Sequence, residues 1–453
     1  MHVPAERSLG SARVGRETAL AIPVCLAVAL AAGADLYTRA RTANGAAFWH
    51  ARAVAIAVAG GVSNPYSRTG RERVYALVAA PQTRSADARE RAAAVQSADL
   101  DTRVLSYRGL DVLQTPLLLS FFRLFAAGAY ERDYRAFLAL SLLSLFLASY
   151  ALARMVGHPR SIALLVAAVV GLALEGEASE LRVANVNDVE LGLVALFLWL
   201  QWRAGRWSDV AGGAVLAVAV AFKPNAAPVA AALALAWAGG REWRKIGRVA
   251  AGAAVGALVS VAVSALLVGP RAWVDWVEVI PEMMRSAHPT SYGNMSLSMV
   301  VGELSGLDVS PLLLATGLFT LAVVSLRPLY RPGPSGSPFR RTFCAAGAGL
   351  LLPLVAARLV WLHYTVLALP ALLAATRWAW GRVPAWAAAV AVFLLSTGGF
   401  QLVALAAGMG RPQVVACDLA LLLLFALSAG LLWRLGAAGD GDGLTPAAPG
   451  ALS

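Results

Sequence analysis

The sequence predicts an all-α polytopic membrane protein, a bundle of about twelve transmembrane helices, and three observations carry that expectation. Hydrophobic residues fill 59% of the 453 positions and charged residues only 14%, against about half and about a quarter in soluble domains. A water-soluble core has no room for that much apolar surface. Apolar runs of about 20 residues, enough to cross about 30 Å of hydrocarbon, recur along the whole chain, and the turns between them are rich in arginine on alternate sides.

Taken in order, Arg7, Arg13 and Arg16 precede an apolar run from Ala19 to Ala34. A cleavable signal peptide has this outline. The run is at the upper length limit for one, and its Ala-Ala-Gly-Ala exit matches a cleavage site only loosely. The expectation is therefore a cytoplasmic N-terminus over 1–16 and a first crossing over 17–36. Further crossings are expected at 136–155, 161–175, 189–203, 208–222, 225–239, 249–268, 309–326, 342–360, 363–378, 383–405 and 413–434. Together 17–435 form one transmembrane domain, followed by a Gly-, Ala- and Pro-rich tail, 436–453, expected to be disordered and cytoplasmic.

Parity then sorts the turns. Arg154 to Arg160, Arg203 to Arg206, Arg241 to Arg248, Arg327 to Arg341 and Arg377 to Arg382 share one side, as the positive-inside rule asks of the cytoplasm. The turns holding Asn187, Lys223, Asn294 and His363 share the other, with few cations besides Lys223 and Arg182. Counting 110–129 as another crossing would invert every later loop, so that stretch is expected to be amphipathic or re-entrant on the outer surface, with Arg123 at the interface. A long outer loop, 35–135, results. Within it 48–61 reads as a short surface helix and 84–101 as a charged, alanine-rich helix or mobile strip.

The formal net charge of +12 does not imply a nucleic-acid partner, because the arginines are dispersed through short loops without a contiguous basic face. Cys25, Cys344 and Cys417 lie inside apolar runs without metal-ligand spacing, as packing residues do. No metal or other cofactor is expected.

Polar residues near hydrocarbon cost on the order of 2.5–3.5 kcal/mol at mid-membrane and so invite a functional reading. Lys223 stands on a helix break in Phe-Lys-Pro-Asn; both phosphate binding and snorkelling to the interface are consistent with it. Asn185, Asn187 and Asp188 crowd one helix start beside Arg182, more than N-capping needs. Asn294 and Ser296 open an apolar stretch, which capping also explains. Trp361 and His363 lie between two apolar runs, where an interfacial aromatic is the plain alternative. Asp35 follows the first crossing, and Asp99, Asp101 and Asp111 precede the amphipathic element. Together these describe an outward-facing cavity at membrane level with a phosphate-binding cation, amide and imidazole hydrogen-bonders and candidate general bases.

In order and spacing these residues resemble the GT-C superfamily of polyprenyl-phosphate-sugar-dependent glycosyltransferases, and within it glycosyltransferase family 87, the bacterial α-1,2-mannosyltransferase type. The resemblance rests on Phe48-Trp49 through Gly61, Asn64-Pro65-Tyr66, Thr115-Pro116-Leu117, Lys223-Pro224, Asn294-Met295-Ser296-Leu297 and Trp361-Leu362-His363-Tyr364. It implies a GT-C-like bundle in the bacterial plasma membrane with an extracytoplasmic active site. It also implies an inverting, metal-independent transfer of a hexose, mannose first among them, from a polyprenyl-phosphate-linked donor to a cell-envelope glycan or glycolipid. Lys223, His363 and Arg182 would then meet the donor phosphate, while Asn187, Asp188, Asn294, Ser296, Trp361 and Tyr66 would serve the sugar and acceptor. The family's loop-one aspartate, its general base, usually stands four residues before the aromatic pair, where this chain has Asn44. Asp35 is the candidate replacement. The Gly-Gln-x-Asn motif is here Ala184-Asn185-Val186-Asn187. A non-catalytic membrane binding or scaffold protein and a transporter of lipid-linked sugars are the competing readings.

Overall fold

The computed structural model describes residues 43–436 apart from 106, 286–288, 331–336 and 380, together with Ala27, Leu30, Ala34, Thr38 and Arg39. Asp35, the N-terminal segment 1–16 and nearly all of the expected first crossing and C-terminal tail lie outside these residues. The described chain is helical throughout; its only β pairings are isolated bridges, Leu174 with Ser396 and Asn294 with Trp361.

Five helices are long and apolar enough to cross a membrane: Tyr130–Met155, Trp243–Leu267, Ser310–Tyr330, Pro338–Ala356 and Arg411–Leu435. Other expected crossings appear as shorter helices: Arg160–Ala173, Asn187–Arg203, Arg206–Phe222, Ala227–Gly239 and Leu369–Trp378. The expected single helix over 383–405 is two, Arg382–Leu395 and Thr397–Ala407. Ser396 adopts an extended backbone between them and its hydroxyl accepts the Gly399 N–H, so a serine N-cap starts a new helix inside the apolar run.

Pro338–Ala356 is the central rod. It is apolar around nearly its whole circumference and buried around it too, as such a helix must be. Elsewhere small residues set the spacing: a Cβ at Gly252 or Gly256 would strike the backbone of Val210 or Ala214 on the neighbouring Arg206–Phe222 helix, the close approach that membrane helix pairs favour.

The turns sort into two ends. At one end Arg248 meets Asp209 at 2.7 Å and Arg341 meets Glu242 at 2.6 Å, joining arginine-rich turns. At the other, the turns of Asn187, Lys223 and His363 touch one another, and Asn294 bridges Trp361.

The loop before Tyr130 is a folded unit whose apolar core is completed by residues of neighbouring helices such as Phe137 and Phe222. Its helices are Ala46–Ala59, Arg68–Val74 with its continuation to Gln82, Ala88–Leu105 and Pro116–Phe122. The segment expected to be a surface helix is the most buried of them: Phe48, Trp49, Val54 and Ala55 have no exposure. Phe48 is ringed by Phe122, Phe125, Tyr130, Tyr134 and Phe137 at centroid separations of 5.0–6.1 Å, within the range of favourable aromatic pairs. The surface expectation fails because an Ala- and Val-rich run without periodicity looks alike whether it faces lipid or a protein lid. Buried Arg52 fastens the unit, donating to the carbonyls of Phe125 at 2.8 Å and Gly128 at 2.7 Å and facing Asp133 at 3.3 Å. The amphipathic element is likewise mostly inside, with Leu118, Leu119 and Phe122 buried. Arg123 donates to the carbonyl of Leu267, capping the Trp243–Leu267 helix.

Candidate active site

Pro224 has no N–H and pushes the residue before it out of helical geometry. Lys223 is accordingly extended, at φ −148° and ψ 117°, and ends the Arg206–Phe222 helix. The carbonyl this break releases on Phe222 accepts the Thr115 hydroxyl at 3.0 Å, and the same hydroxyl oxygen accepts the Leu118 N–H at 3.1 Å as an N-cap. Thr115-Pro116-Leu117 and Lys223-Pro224 are thus two halves of one joint between the loop unit before Tyr130 and the membrane helices.

From that joint the Lys223 ammonium reaches a mostly buried network. It donates to Asn187 Oδ1, lies 3.6 Å from Glu190, and sits 4.0 Å above the Tyr364 ring. Asn187 in turn donates through Nδ2 to Glu180 at 2.8 Å and to the His363 carbonyl at 3.2 Å, while its backbone N–H reaches the other Glu180 oxygen at 3.0 Å. The Asn185 amide and His363 Nε2 are 3.1 Å apart. The His363 ring lies parallel to Trp361, at 9°, and edge-on to Tyr364. Lys223, Asn187, His363 and Trp361, singled out from sequence, therefore come together. Asp188 points elsewhere, accepting from the Ser141 hydroxyl at 2.7 Å and facing Glu177 in a fully buried pocket.

Three other expected residues are tied into the scaffold. Asn294 donates to the Arg358 carbonyl at 2.8 Å and its Oδ1 accepts the N–H groups of Ser296 and Val360 at 3.1 and 3.0 Å. Ser296 donates to the Ala357 carbonyl at 2.5 Å. Together they stitch 294–297 to 357–360 and so hold the His363 turn. Buried Tyr66 donates its hydroxyl to the Gln114 carbonyl at 3.0 Å, one residue before Thr115.

Of the loop-one acids, Asp99 is exposed, whereas Asp101 and Asp111 are buried in a network of their own. Asp101 faces His50 at 3.0 Å and accepts the Asp111 N–H at 2.9 Å; Arg71 lies 3.8 Å from Asp111 and 2.7 Å from Glu282. Burial pulls the His50 imidazole down, but Asp101 and Asp111 outweigh it and hold the pKa above the ordinary value. Burial and the Asp101 charge push Asp111 up to about 6, against the pull of Arg71 and His50. Asn44 begins the Ala46–Ala59 helix: its side chain donates to Gln96 at 2.5 Å and accepts the Ala46 N–H at 3.2 Å.

Open space lies on the far side of one short helix. Glu175–Val183 presents Gly176, Glu177 and Glu180 to the buried networks and the His363 turn. Glu175, Ala178, Ser179 and Arg182, at helical i, i+3, i+4 and i+7 positions, line a cavity of about 320 Å³ with Arg39 and Ala43. Glu175, Glu180 and Glu190 were given no role from sequence, and Tyr364 entered only as the last residue of the Trp361-Leu362-His363-Tyr364 motif. The seven-residue spacing of Glu175 and Arg182 through Ala178 and Ser179 is the signal that marks the cavity face. Glu180 and Glu190 bracket Asn187 but carry no pattern of their own. The described residues contain no cluster of three His, Cys, Asp or Glu side chains able to hold a metal ion.

No curated protein and no solved structure matches this chain. Residues 113–352, more than half of the chain, match the model of glycosyltransferase family 87. That span opens just before the Thr115 half of the joint and contains the Lys223 break, the Asn187 turn, the Asn294 turn and most of the central rod. On that match, and on a helical membrane bundle whose polar turns gather at one end, the chain belongs to glycosyltransferase family 87 and is a glycosyltransferase.

Proposed function

We propose that this glycosyltransferase takes a hexose, mannose first among candidates, from a polyprenyl-phosphate donor and transfers it with inversion to a cell-envelope glycan or glycolipid on the outer face of the bacterial plasma membrane. The observation that supports this best is the convergence of the Asn187, Lys223 and His363 turns beside a cavity bearing Arg182. In this reading the shorter helices complete the expected twelve crossings, and both termini are cytoplasmic.

Physically, transfer needs a donor phosphate whose departing charge is stabilised and an acceptor hydroxyl held in line behind the anomeric carbon. Arg182 meets the phosphate directly. Lys223 already faces Glu190 and Asn187, so it acts from behind the short helix, ordering Asn185 and Asn187 and balancing the buried carboxylates. Trp361 and Tyr364 offer flat apolar faces to a sugar ring or a prenyl tail. The step needs no metal, since the leaving phosphate departs as an anion onto fixed cations.

The test is transfer by purified protein in nanodiscs, using radiolabelled polyprenyl-phosphate mannose, then glucose and arabinose donors, with envelope glycolipid extracts as acceptors. Label moving into the acceptor fraction is expected with at least one donor; none across the panel rejects the reading. Asn44 favours one second reading, a relative that binds lipid-linked sugars without transferring them, because an amide cannot take the acceptor proton. Saturable donor binding without turnover identifies it.

A further inference from the structure

We propose that Glu175 is the general base of this chain and that Arg39 and Arg182 form the clamp for the leaving phosphate; this rests on the transfer reading above. Four observations lead there. Asn44 cannot accept a proton, and its amide is engaged with Gln96. Asp101 and Asp111 are committed to His50 and Arg71, and Arg71 also to Glu282, in a network of their own. Glu180 and Glu190 lie on the sealed side, held by Asn187 and Lys223. Among the described residues, which do not include Asp35, the cavity is lined by one carboxylate, Glu175, and two guanidinium groups, Arg39 and Arg182, with Ala43 placing its wall next to Asn44.

That set matches what an inverting displacement requires. The cavity, about 320 Å³, is of a size that suits a small ligand such as a sugar phosphate head. Planar guanidinium forks bind phosphate oxygens in pairs. The acceptor hydroxyl gives its proton to the Glu175 carboxylate as its oxygen bonds to the anomeric carbon. The bond from that carbon to the phosphate oxygen breaks, and its electron pair leaves with the polyprenyl phosphate onto Arg39 and Arg182. Charge balances, since the proton gained by Glu175 offsets the anion released, and no oxidant, metal or further reactant enters. A carboxylate in the same cavity as two arginines also repels a bound phosphate, which gives the proposal a readout apart from turnover.

The experiment uses the full chain in nanodiscs and two probes. The first is citronellyl phosphate, titrated by intrinsic tryptophan fluorescence. Wild type is expected to bind it, Glu175→Gln to bind it several-fold more tightly, and the double variant Arg39→Gln, Arg182→Gln to lose at least tenfold. Binding unchanged in the double variant overturns the clamp. The second is the donor and acceptor pair that gives turnover. With it Glu175→Gln is expected to lower kcat roughly 10²–10⁴-fold, the usual worth of a positioned base, with KM for the donor unchanged or lower, and Glu175→Asp to recover part of the rate. A Glu175→Gln protein that binds citronellyl phosphate and turns over within threefold of wild type overturns the base, leaving the transfer reading intact. If no pair gives turnover with wild type, the transfer reading and the base fall together, and the phosphate clamp is judged by citronellyl phosphate alone.

Discussion

The two faces of the Glu175–Val183 helix are built from the same residue types and do opposite things. On the sealed face, Glu180 is wholly buried and engaged with Asn187, which holds Lys223, which faces Glu190. On the open face, Glu175 and Arg182 border free volume. Charges enclosed in a dry interior are fixed by their partners and define geometry, while charges bordering a cavity are within reach of a ligand. In the proposed reading the most conspicuous cation in the sequence, Lys223 on its proline break, organises the turns, while Arg39 and Arg182 line the cavity.

Breaking the sealed face should have the largest effect. Lys223→Met leaves Glu190 and Glu180 buried without their cation, and removing one partner of a buried pair typically costs about 3–5 kcal/mol. A marked fall in the thermal unfolding midpoint in nanodiscs is expected, with much of it restored in Lys223→Met, Glu190→Gln. If the single variant unfolds at the wild-type temperature, the network does not hold the turns together, and the contrast between the two faces disappears.

A smaller effect is expected where the helix leans on its neighbour. A Cβ at Gly176 would collide with the Thr365 hydroxyl and lie 3.1 Å from the Leu362 carbonyl and 3.2 Å from the Val366 nitrogen. Glycine here lets the helix touch the His363 turn backbone to backbone. Gly176→Ala should cost about 1–3 kcal/mol, as overpacking does. It should also loosen the His363 turn, read as faster amide exchange over 362–368. Thr365→Ala in the same chain should recover part of the loss, since the hydroxyl is the nearest obstacle; no recovery would mean that the backbone contacts set the spacing.

Much of this was legible in the sequence, and the reasons for the rest are physical. Apolar length and arginine bias gave the helices and the sorting of turns to two ends, because the bilayer constrains both strongly. Lys223, Asn187, His363 and Trp361, which the structure brings together, could be singled out because polar groups at helix breaks stand out against hydrocarbon. The loop unit before Tyr130 was harder: burial of Phe48 depends on Phe122, Tyr130 and Phe137, which lie 74 to 89 positions later, and no local pattern encodes that. Short helices such as Glu175–Val183, Ala272–Arg285 and Leu297–Ser305 were hidden because polar residues at their ends read as loop. The break at Ser396 was missed although a signal for it exists, since Ser-Thr-Gly-Gly is an N-cap followed by poor helix formers. Glu175 was hidden by context, for a carboxylate at the edge of a crossing looks solvated until Arg39 and Arg182 are seen beside it.

The smallest expected effect concerns the hinge between the two faces. Ala184 ends the short helix in the left-handed region, at φ 52° and ψ 61°, just before Asn185 and Asn187 turn into the next helix. A non-glycine residue there bears a strain of about 1–2 kcal/mol from its Cβ, and the resembling motif has glycine at this place. Ala184→Gly relieves that strain, but the Ala184 methyl is buried and its loss returns about 0.8 kcal/mol. The net gain should be below about 1 kcal/mol, a rise of a few degrees at most in the unfolding midpoint. The sign is the informative part. A rise means that backbone strain at the hinge outweighs packing, so this chain holds its Asn turn in place at some cost in stability. A fall means that the methyl is first a packing contact of the core beneath the loop unit, and that the hinge belongs to the sealed face.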